Sequence, residues 1–288
     1  MAATLTISNG VVDSLTSNPS SVIGYSSTKN IVIEGNITYT QASALKNVAS
    51  PSITATVSQS SVDNLKGITT LSTRTNAFTL TTTDTSASAA DLVAIKGLTT
   101  IAPNFSSVSA ITASPFADVK SLYTGTNSTL GTETISLNDA TISAADLYTA
   151  FGYTSKEVKT TATKLTGLSA DLVKVFNKKG SGDGKIAGVA AIATDVTDTD
   201  IPAEDLNTIN SGTTGLVTIS SGSSVSGKFA DINTINTNSG TTGDKIAGLG
   251  TANITLDNSN GGNASYSTAN VKSAIGFTTG VVTATISD

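Results

Sequence analysis

Apolar and polar positions along the chain follow a pattern that recurs nine times. In each copy a small or acidic residue, usually Asp or Asn, precedes an aliphatic anchor, and a second apolar residue follows three or four positions later. The anchors are Leu45, Leu65, Leu92, Val119, Leu147, Leu172, Leu206, Ile232 and Val271, at spacings of 20 to 39 residues that centre near 27. Repeats of this length are typical of solenoids, whose units bury their apolar faces by stacking on neighbours.

Within one repeat, the pattern predicts a strand, a turn and a short helix. Residues 77–81 alternate apolar and hydroxyl side chains with period two, whereas Leu92 and Ile95 lie three apart, as on a helical face. Twelve residues separate Leu80 from Leu92, and the same offset recurs in other repeats, so both positions are expected to face one core. The predicted fold class is therefore mainly β with short helices, an elongated solenoid of parallel stacked strands with a period of about 27.

Residues at the expected helix ends support this interpretation. Ser88 and Ser143 each stand three residues before an Asp, as in a capping box, and Ser60 repeats the spacing with Asp63. Pro115 is expected at a first helical position, where its missing N–H costs nothing. Left-handed glycines are expected to end five helices, at Gly67, Gly97, Gly125, Gly152 and Gly276.

The regularity of the spacing predicts three segments. Residues 1–40 form an N-terminal cap or assembly strand, residues 41–180 a regular repeat region, and residues 181–288 a looser repeat region with a C-terminal strand. The sequence Lys-Ile-Ala-Gly occurs at residues 185–188 and again at 245–248, which suggests a longer, two-coil unit in the last segment.

Composition excludes several kinds of chemistry. The chain contains no His and no Cys, so it lacks the residues for a Ser-His-Asp triad, a Cys nucleophile, or an ordinary zinc, haem or iron–sulfur site. We therefore predict no catalytic residues, no cofactor and no enzymatic activity. Paired Asp residues on a polysaccharide-cleaving solenoid remain a less favoured alternative, because Asp is plentiful.

Charge and hydropathy exclude two classes of partner. The net charge is −5 and Arg74 is the only arginine, so the clustered cations of a nucleic-acid groove are missing. The longest apolar stretch, residues 186–193, is too short to span a membrane. Residues 1–7 lack the basic and long hydrophobic segments of a secretory signal, so export would need an uncleaved signal, prior processing or release by lysis.

Calcium is a possible ligand in two places. The glycine-rich residues 180–184 resemble part of a calcium loop, but Lys179 and Ala190 stand where such a loop requires acidic ligands. The better calcium candidate is an acidic run that offers clustered hard oxygen ligands, with Asp195, Asp198 and Asp200 as the candidate ligands and Glu204 and Asp205 after them. The simpler alternative is a solvated turn before the next helix.

The two terminal segments predict self-association. Residues 3–7 and 281–286 both alternate like strands, and neither carries a charge that would guard an exposed strand edge. They could cap the chain or join neighbouring subunits by β-augmentation. The assembly residues predicted on this basis are Leu5, Ile7, Val282 and Ile286, and the predicted partner is a second copy of the chain.

A binding module is the alternative function. The loops at residues 178–184 and 257–265 could recognise a surface glycan or a host receptor. Five tyrosines could supply sugar-stacking faces, namely Tyr25, Tyr123, Tyr148, Tyr153 and Tyr266.

Two units in the second half, residues 203–209 and 213–217, carry a family resemblance. Over about residues 40 to 288 the repeat style resembles Thr/Ser/Ala-rich repeat proteins of bacterial exteriors, especially cyanobacterial surface proteins and the appendage proteins of their phages. The resemblance implies a structural or adhesive role outside a cell or on a virion. The expected function is therefore a structural building block that self-assembles into a surface layer, an extracellular filament or a virion appendage.

Overall fold

A computed structural model describes residues 2–125, 129–257 and 265–286 of the chain. The chain divides into two compact units, Met1–Ser136 and Leu137–Asp288. In each unit short helices are interspersed among short strands along the chain.

In the first unit, four strands form one parallel sheet in the order β1-β2-β3-β4, and β5 pairs in parallel with β6. The register places Leu5 opposite Ile31 and Ile31 opposite Ile53. The strands are β1 (Thr4–Ser8), β2 (Asn30–Ile37), β3 (Ser52–Val57), β4 (Thr75–Thr79), β5 (Ser86–Ser88) and β6 (Ala110–Ser114), and β7 (Thr134–Leu137) spans the boundary. The helices are α1 (Val12–Ser17), α2 (Tyr39–Ala44), α3 (Val62–Lys66), α4 (Ala89–Gly97) and α5 (Phe116–Tyr123). Short 3-10 turns cover Asn9–Val11, Pro19–Ser21 and Leu45–Asn47.

The second unit contains two five-stranded parallel sheets, in the orders β8-β10-β12-β14-β16 and β13-β15-β17-β19-β18, and a β9–β11 pair. Its strands are β8 (Thr141–Ser143), β9 (Val158–Thr160), β10 (Lys164–Gly167), β11 (Ile186–Ala187), β12 (Ala193–Val196), β13 (Asp200–Pro202), β14 (Val217–Ile219), β15 (Ser224–Gly227), β16 (Ile246–Ala247), β17 (Asn253–Leu256), β18 (Ser265–Tyr266) and β19 (Val282–Ile286). Its helices are α6 (Ala144–Phe151), α7 (Ser169–Asn177), α8 (Ala203–Gly212), α9 (Phe229–Thr237) and α10 (Thr268–Ile275), with a 3-10 turn at Leu249–Thr251.

Parallel strands and short helices are confirmed, but the expectation of a mainly β chain is wrong. Helices and strands contribute about equally among the described residues, and none of the sheets that these residues form closes into a barrel. The difference arises because the anchor segments form helices of up to ten residues, as in α8, whereas strands such as β11 and β16 shrink to two residues.

The repeated anchors form the core. All nine lie in helices, Leu45 in the 3-10 turn after α2, and all but the half-buried Val271 are fully buried. The positions twelve residues earlier are buried with them, since Ile53 of β3, Ile135 of β7 and Leu80, one residue after β4, expose no surface. The anchors and their strand partners thus account for which faces pack inward.

Two of the predicted helix caps are confirmed and one is wrong. The Oγ atoms of Ser88 and Ser143 accept hydrogen bonds from the amides of Asp91 and Asp146 at 3.1 and 3.0 Å. At the start of α3, however, the cap is Ser61, whose Oγ accepts from the Asn64 amide, and the predicted Ser60 bonds the Asn64 side chain instead.

Pro115 lies one position outside its helix, because its extended backbone makes it the capping residue itself.

The predicted left-handed glycine ends are mostly wrong. Gly125 has a positive φ of 83°, but Gly67, Gly152 and Gly276 keep right-handed helical angles and Gly97 is the last residue of α4. The last turn of such a helix tightens to 3-10 geometry instead. The Gly276 amide, for example, donates to the Ser273 carbonyl at 2.9 Å, which is a 3-10 hydrogen bond.

Replacing Ser88 by alanine is expected to lower the free energy of unfolding by about 1 kcal/mol, the usual effect of losing a side-chain cap. Urea titration of the variant and of wild type gives the difference. Ser106→Ala is the matched control, since Ser106 is exposed and lies outside the helices, and it should leave the midpoint unchanged. Equal midpoints for all three proteins would show that the Ser88 cap does not stabilise α4.

Candidate functional site

The first strand, β1, presents an unpaired backbone edge. It is the outermost strand of its sheet, and no strand within the described residues pairs with its outer side. The Asn30 amide donates to the Ala3 carbonyl at 2.8 Å, so the backbone of Ala3 faces β2. Backbone amides and carbonyls point to alternate sides of a strand from one residue to the next. Those of Leu5 and Ile7 therefore also point toward β2, whereas those of Thr4 and Thr6 point outward.

The side chains of β1 also alternate, between exposed positions and positions that are buried or half-buried. Ile7 is buried and Leu5 is half-buried, while Thr4, Thr6 and Ser8 are exposed. The two predicted assembly residues of this strand therefore anchor it to its own unit. What β1 offers to a partner is its backbone, flanked by hydroxyl side chains.

An apolar groove runs beside this edge. It encloses about 420 Å³ and is lined by Thr6 and Ile7 of β1 and by Val11, Val22 and Ile23 among others. The Ile23 side chain is 95% exposed, which is unusual for an isoleucine. An unpaired strand edge and an exposed apolar side chain thus share one surface.

The C-terminal assembly residues lie in a different environment. Strand β19 pairs in parallel with β17, Ile254 opposite Val282, and with β18, Ser265 opposite Thr285. Val282 is half-buried and Ile286 is 49% exposed. Strand β19 therefore lies between two strands of its sheet, unlike β1, and what it presents is apolar side chains.

The carboxylates of the three candidate calcium ligands each make a different contact. Asp195 forms an ion pair with Lys164 at 2.5 Å, and Asp200 accepts a hydrogen bond from Ser224 Oγ at 2.8 Å. Asp198 accepts from the Ser169 amide at 2.6 Å and so caps the N-terminus of α7.

Two carboxylates of the acidic run do converge, on a buried serine. Asp198 and Asp205 both lie within hydrogen-bonding distance of Ser169 Oγ, at 3.4 and 3.2 Å. Ser169 is buried at the first residue of α7, so the pair surrounds a helix start. Nowhere in residues 2–125, 129–257 and 265–286 are three or more acidic residues grouped so that they could hold a metal ion.

The glycine-rich loop at residues 178–184 is tied to a preceding segment. The Gly182 amide donates to Glu157 Oε2 at 2.5 Å, and Lys156 forms an ion pair with Asp183 at 2.7 Å. These contacts give the loop a defined position. Of the second predicted recognition loop, residues 258–264 lie outside the described part of the chain.

The tyrosines proposed as sugar-stacking faces make contacts inside the protein. The hydroxyls of Tyr25 and Tyr266 donate to the carbonyls of Ala49 and Asp257 at 2.9 and 2.7 Å. Tyr123 bonds the Glu133 carboxylate, and the Tyr148 ring packs 5.7 Å from the Phe151 ring. Burial raises the pKa of Tyr153 above its ordinary value. Each of the five tyrosine side chains is therefore in contact with, or partly buried by, other parts of the protein.

Sequence reasoning missed a set of caps that reach from one repeat to another. Asp84 Oδ2 accepts from the Val62 amide of α3 at 2.7 Å, and Ser114 Oγ accepts from the Ala89 amide of α4 at 2.9 Å. At the other end of a helix, Lys96 Nζ donates to the Leu122 carbonyl at 2.6 Å. The partners are 22 to 26 residues apart, so a local capping pattern could not reveal them.

Helices of the described residues are all too short or too polar to cross a membrane. Comparison with known proteins gives no assignment, since no family model, no curated protein and no solved structure matches the chain.

Proposed function

We propose that the protein is a non-enzymatic building block that self-assembles on an exterior surface, as a surface layer, an extracellular filament or a phage virion appendage. The observation that carries the proposal is the open edge of β1 beside the exposed Ile23 groove. Unpaired backbone amides and carbonyls on such an edge accept a strand from another chain. The apolar groove adds area that a partner would remove from water.

A stacked-coil architecture with a period of about 27 residues is part of the proposal. Side-chain hydrogen bonds recur at separations close to this value within each unit. They join Asn9 to Asn36 (27 residues apart), Lys66 to Asp91 (25), Lys96 to Leu122 (26), Lys156 to Asp183 (27) and Ser169 to Asp198 (29). Contacts at one repeat length are what stacked coils produce, because each coil then meets the next at equivalent positions.

Stacking inside the chain suggests how copies of the chain would associate. Every pairing given above is parallel, so a further parallel strand is the natural continuation at β1. Edge strands that must stay monomeric usually carry Lys, Pro or inward charges. The sequence of β1, Thr-Leu-Thr-Ile-Ser, carries none of these.

Electron microscopy and sedimentation velocity across protein concentration test the proposal. Ordered filaments, sheets or rings are expected, and deletion of residues 1–8 should abolish them while circular dichroism still reports folded protein. Parallel runs with calcium and with chelator examine the Asp195, Asp198 and Asp200 region. Assembly that is unchanged by the deletion would exclude the β1 edge as the contact.

A glycan array on the same preparations tests the alternative function, that of a glycan-binding adhesin module. Persistent monomers that bind a glycan saturably would contradict self-assembly and favour an adhesin module on a repeat scaffold. Assembly without saturable glycan binding would support the building block.

A further inference from the structure

Arg74, the only arginine of the chain, is buried and has no carboxylate partner among the described residues. Its side chain is 8% exposed, and no ion pair involves it among the described residues. A buried cation normally pairs with an anion, since removing a lone charge from water is costly. The missing anion therefore calls for an explanation.

Part of the guanidinium serves the fold. Nη1 donates to the carbonyls of Leu45 and Val48 at 2.8 and 2.7 Å, and Nε donates to Asn76 Oδ1 at 2.8 Å. These contacts close the end of the 3-10 turn that follows α2. Burial lowers the pKa of Arg74 from its ordinary value, but a guanidinium stays charged at neutral pH.

The second terminal nitrogen, Nη2, has no hydrogen-bond partner within the described part of the chain and exposes almost no surface. Arg74 borders a cavity of about 320 Å³ whose other walls include Thr70, Leu71, Ser72 and Asn76. That volume falls at the small end of the range of about 300–1,000 Å³ typical of small-molecule sites. The cavity thus combines an uncompensated cation with hydroxyl donors.

We propose that this cavity binds a small oxyanion, a carboxylate or a phosphate, which completes the hydrogen bonding of Arg74 Nη2 and neutralises its charge. Planar guanidinium groups are the preferred partners of both kinds of anion. The Thr70 and Ser72 hydroxyls supply further donors at the walls. Leu71, which is 36% exposed, belongs to the same wall. Because Nη2 is buried, an anion can reach it only if a wall side chain such as Leu71 moves.

The sole arginine allows a direct test on the wild-type protein. In a ¹H–¹⁵N spectrum the arginine Nε–H resonance belongs to Arg74 without further assignment. Inorganic phosphate and glucuronate are titrated separately against chloride at constant ionic strength. A saturable shift with phosphate identifies an inorganic oxyanion site, and one with glucuronate alone identifies a site for a carboxylate sugar.

A variant separates binding at Arg74 from binding elsewhere. In Arg74→Lys the charge remains but the forked donor set is lost, so calorimetry should show the anion bound at least about tenfold more weakly. Equal affinity in the variant, or a wild-type resonance that moves with neither anion, would overturn the proposal. Ser106→Ala, at an exposed position outside the cavity, serves as the control and should bind like wild type.

Discussion

Gly188→Ala is expected to destabilise the second unit by about 2–5 kcal/mol, the combined scale of an overpacked contact and a left-handed backbone. An added Cβ would overlap the carbonyl oxygen of Thr160 and lie 3.0 Å from its carbonyl carbon. Thr160 belongs to β9 and is 2% exposed, so its backbone cannot move aside without disturbing the β9–β11 pairing. The φ of Gly188, +91°, adds strain for any residue with a side chain.

The Gly182→Ala variant separates the effect of the close contact with Thr160 from the effect of the left-handed backbone. Gly182 has a similar φ of +96°, but an added Cβ there meets nothing within 4 Å. This control should lose only about 1–2 kcal/mol, the cost of the left-handed backbone. Urea titration of both variants gives the two values. Equal losses in the free energy of unfolding would mean that Gly188 does not pack closely against the Thr160 backbone in solution.

The recurrence of Lys-Ile-Ala-Gly sixty residues apart has the same physical origin. At Gly248 the φ is +102° and an added Cβ would lie 2.8 Å from the Ile219 carbonyl oxygen. In both copies the glycine lets a turn approach the strand of another repeat. The sequence reveals the recurrence, but the reason is a contact between distant segments that a single sequence does not contain.

Side-chain periodicity predicted the parts of the fold that depend on burial. The nine aliphatic anchors lie in helices and eight of them are fully buried, because a period-3.6 pattern determines which helical face packs inward. The Ser88 and Ser143 caps were predictable for a related reason, since donor and acceptor are only three residues apart.

Properties set by neighbouring segments were not predictable. The alternation in residues 77–81 suggested a strand there, but β4 covers Thr75–Thr79, because strand length depends on how far the neighbouring strand continues. Helix starts held by Asp84 or Asp198 depend on residues more than twenty positions away. The glycine ends failed because a helix can also finish in a 3-10 turn, which needs no left-handed residue.

The candidate assembly surface was predicted in part. The pattern of residues 3–7 indicated a strand without guarding charges, and β1 is that strand. It also named Leu5 and Ile7 as assembly residues, which stays a prediction; Ile7 is buried and Leu5 is half-buried. Which backbone groups remain unpaired depends on the side on which β2 lies, and only the structure supplies that information.

Thr6→Pro is expected to weaken self-assembly without unfolding the chain. The Thr6 amide faces away from β2, so proline removes a donor that only a partner strand would use, and its ring obstructs that strand. Proline is tolerated on edge strands when the lost N–H faces solvent. The concentration at which assemblies appear should rise at least about tenfold, the scale of one lost hydrogen bond with added steric hindrance.

Thr6→Ala is the matched control, because it removes the same side chain and keeps the amide. It should assemble like wild type in sedimentation velocity, and both variants should melt within a few degrees of wild type. If Thr6→Pro proves unstable, Thr4→Pro repeats the test at the first residue of the strand, where proline is also accepted. Assembly of a folded proline variant at the wild-type concentration would rule out strand addition at β1, because no incoming strand could then have used the missing amide.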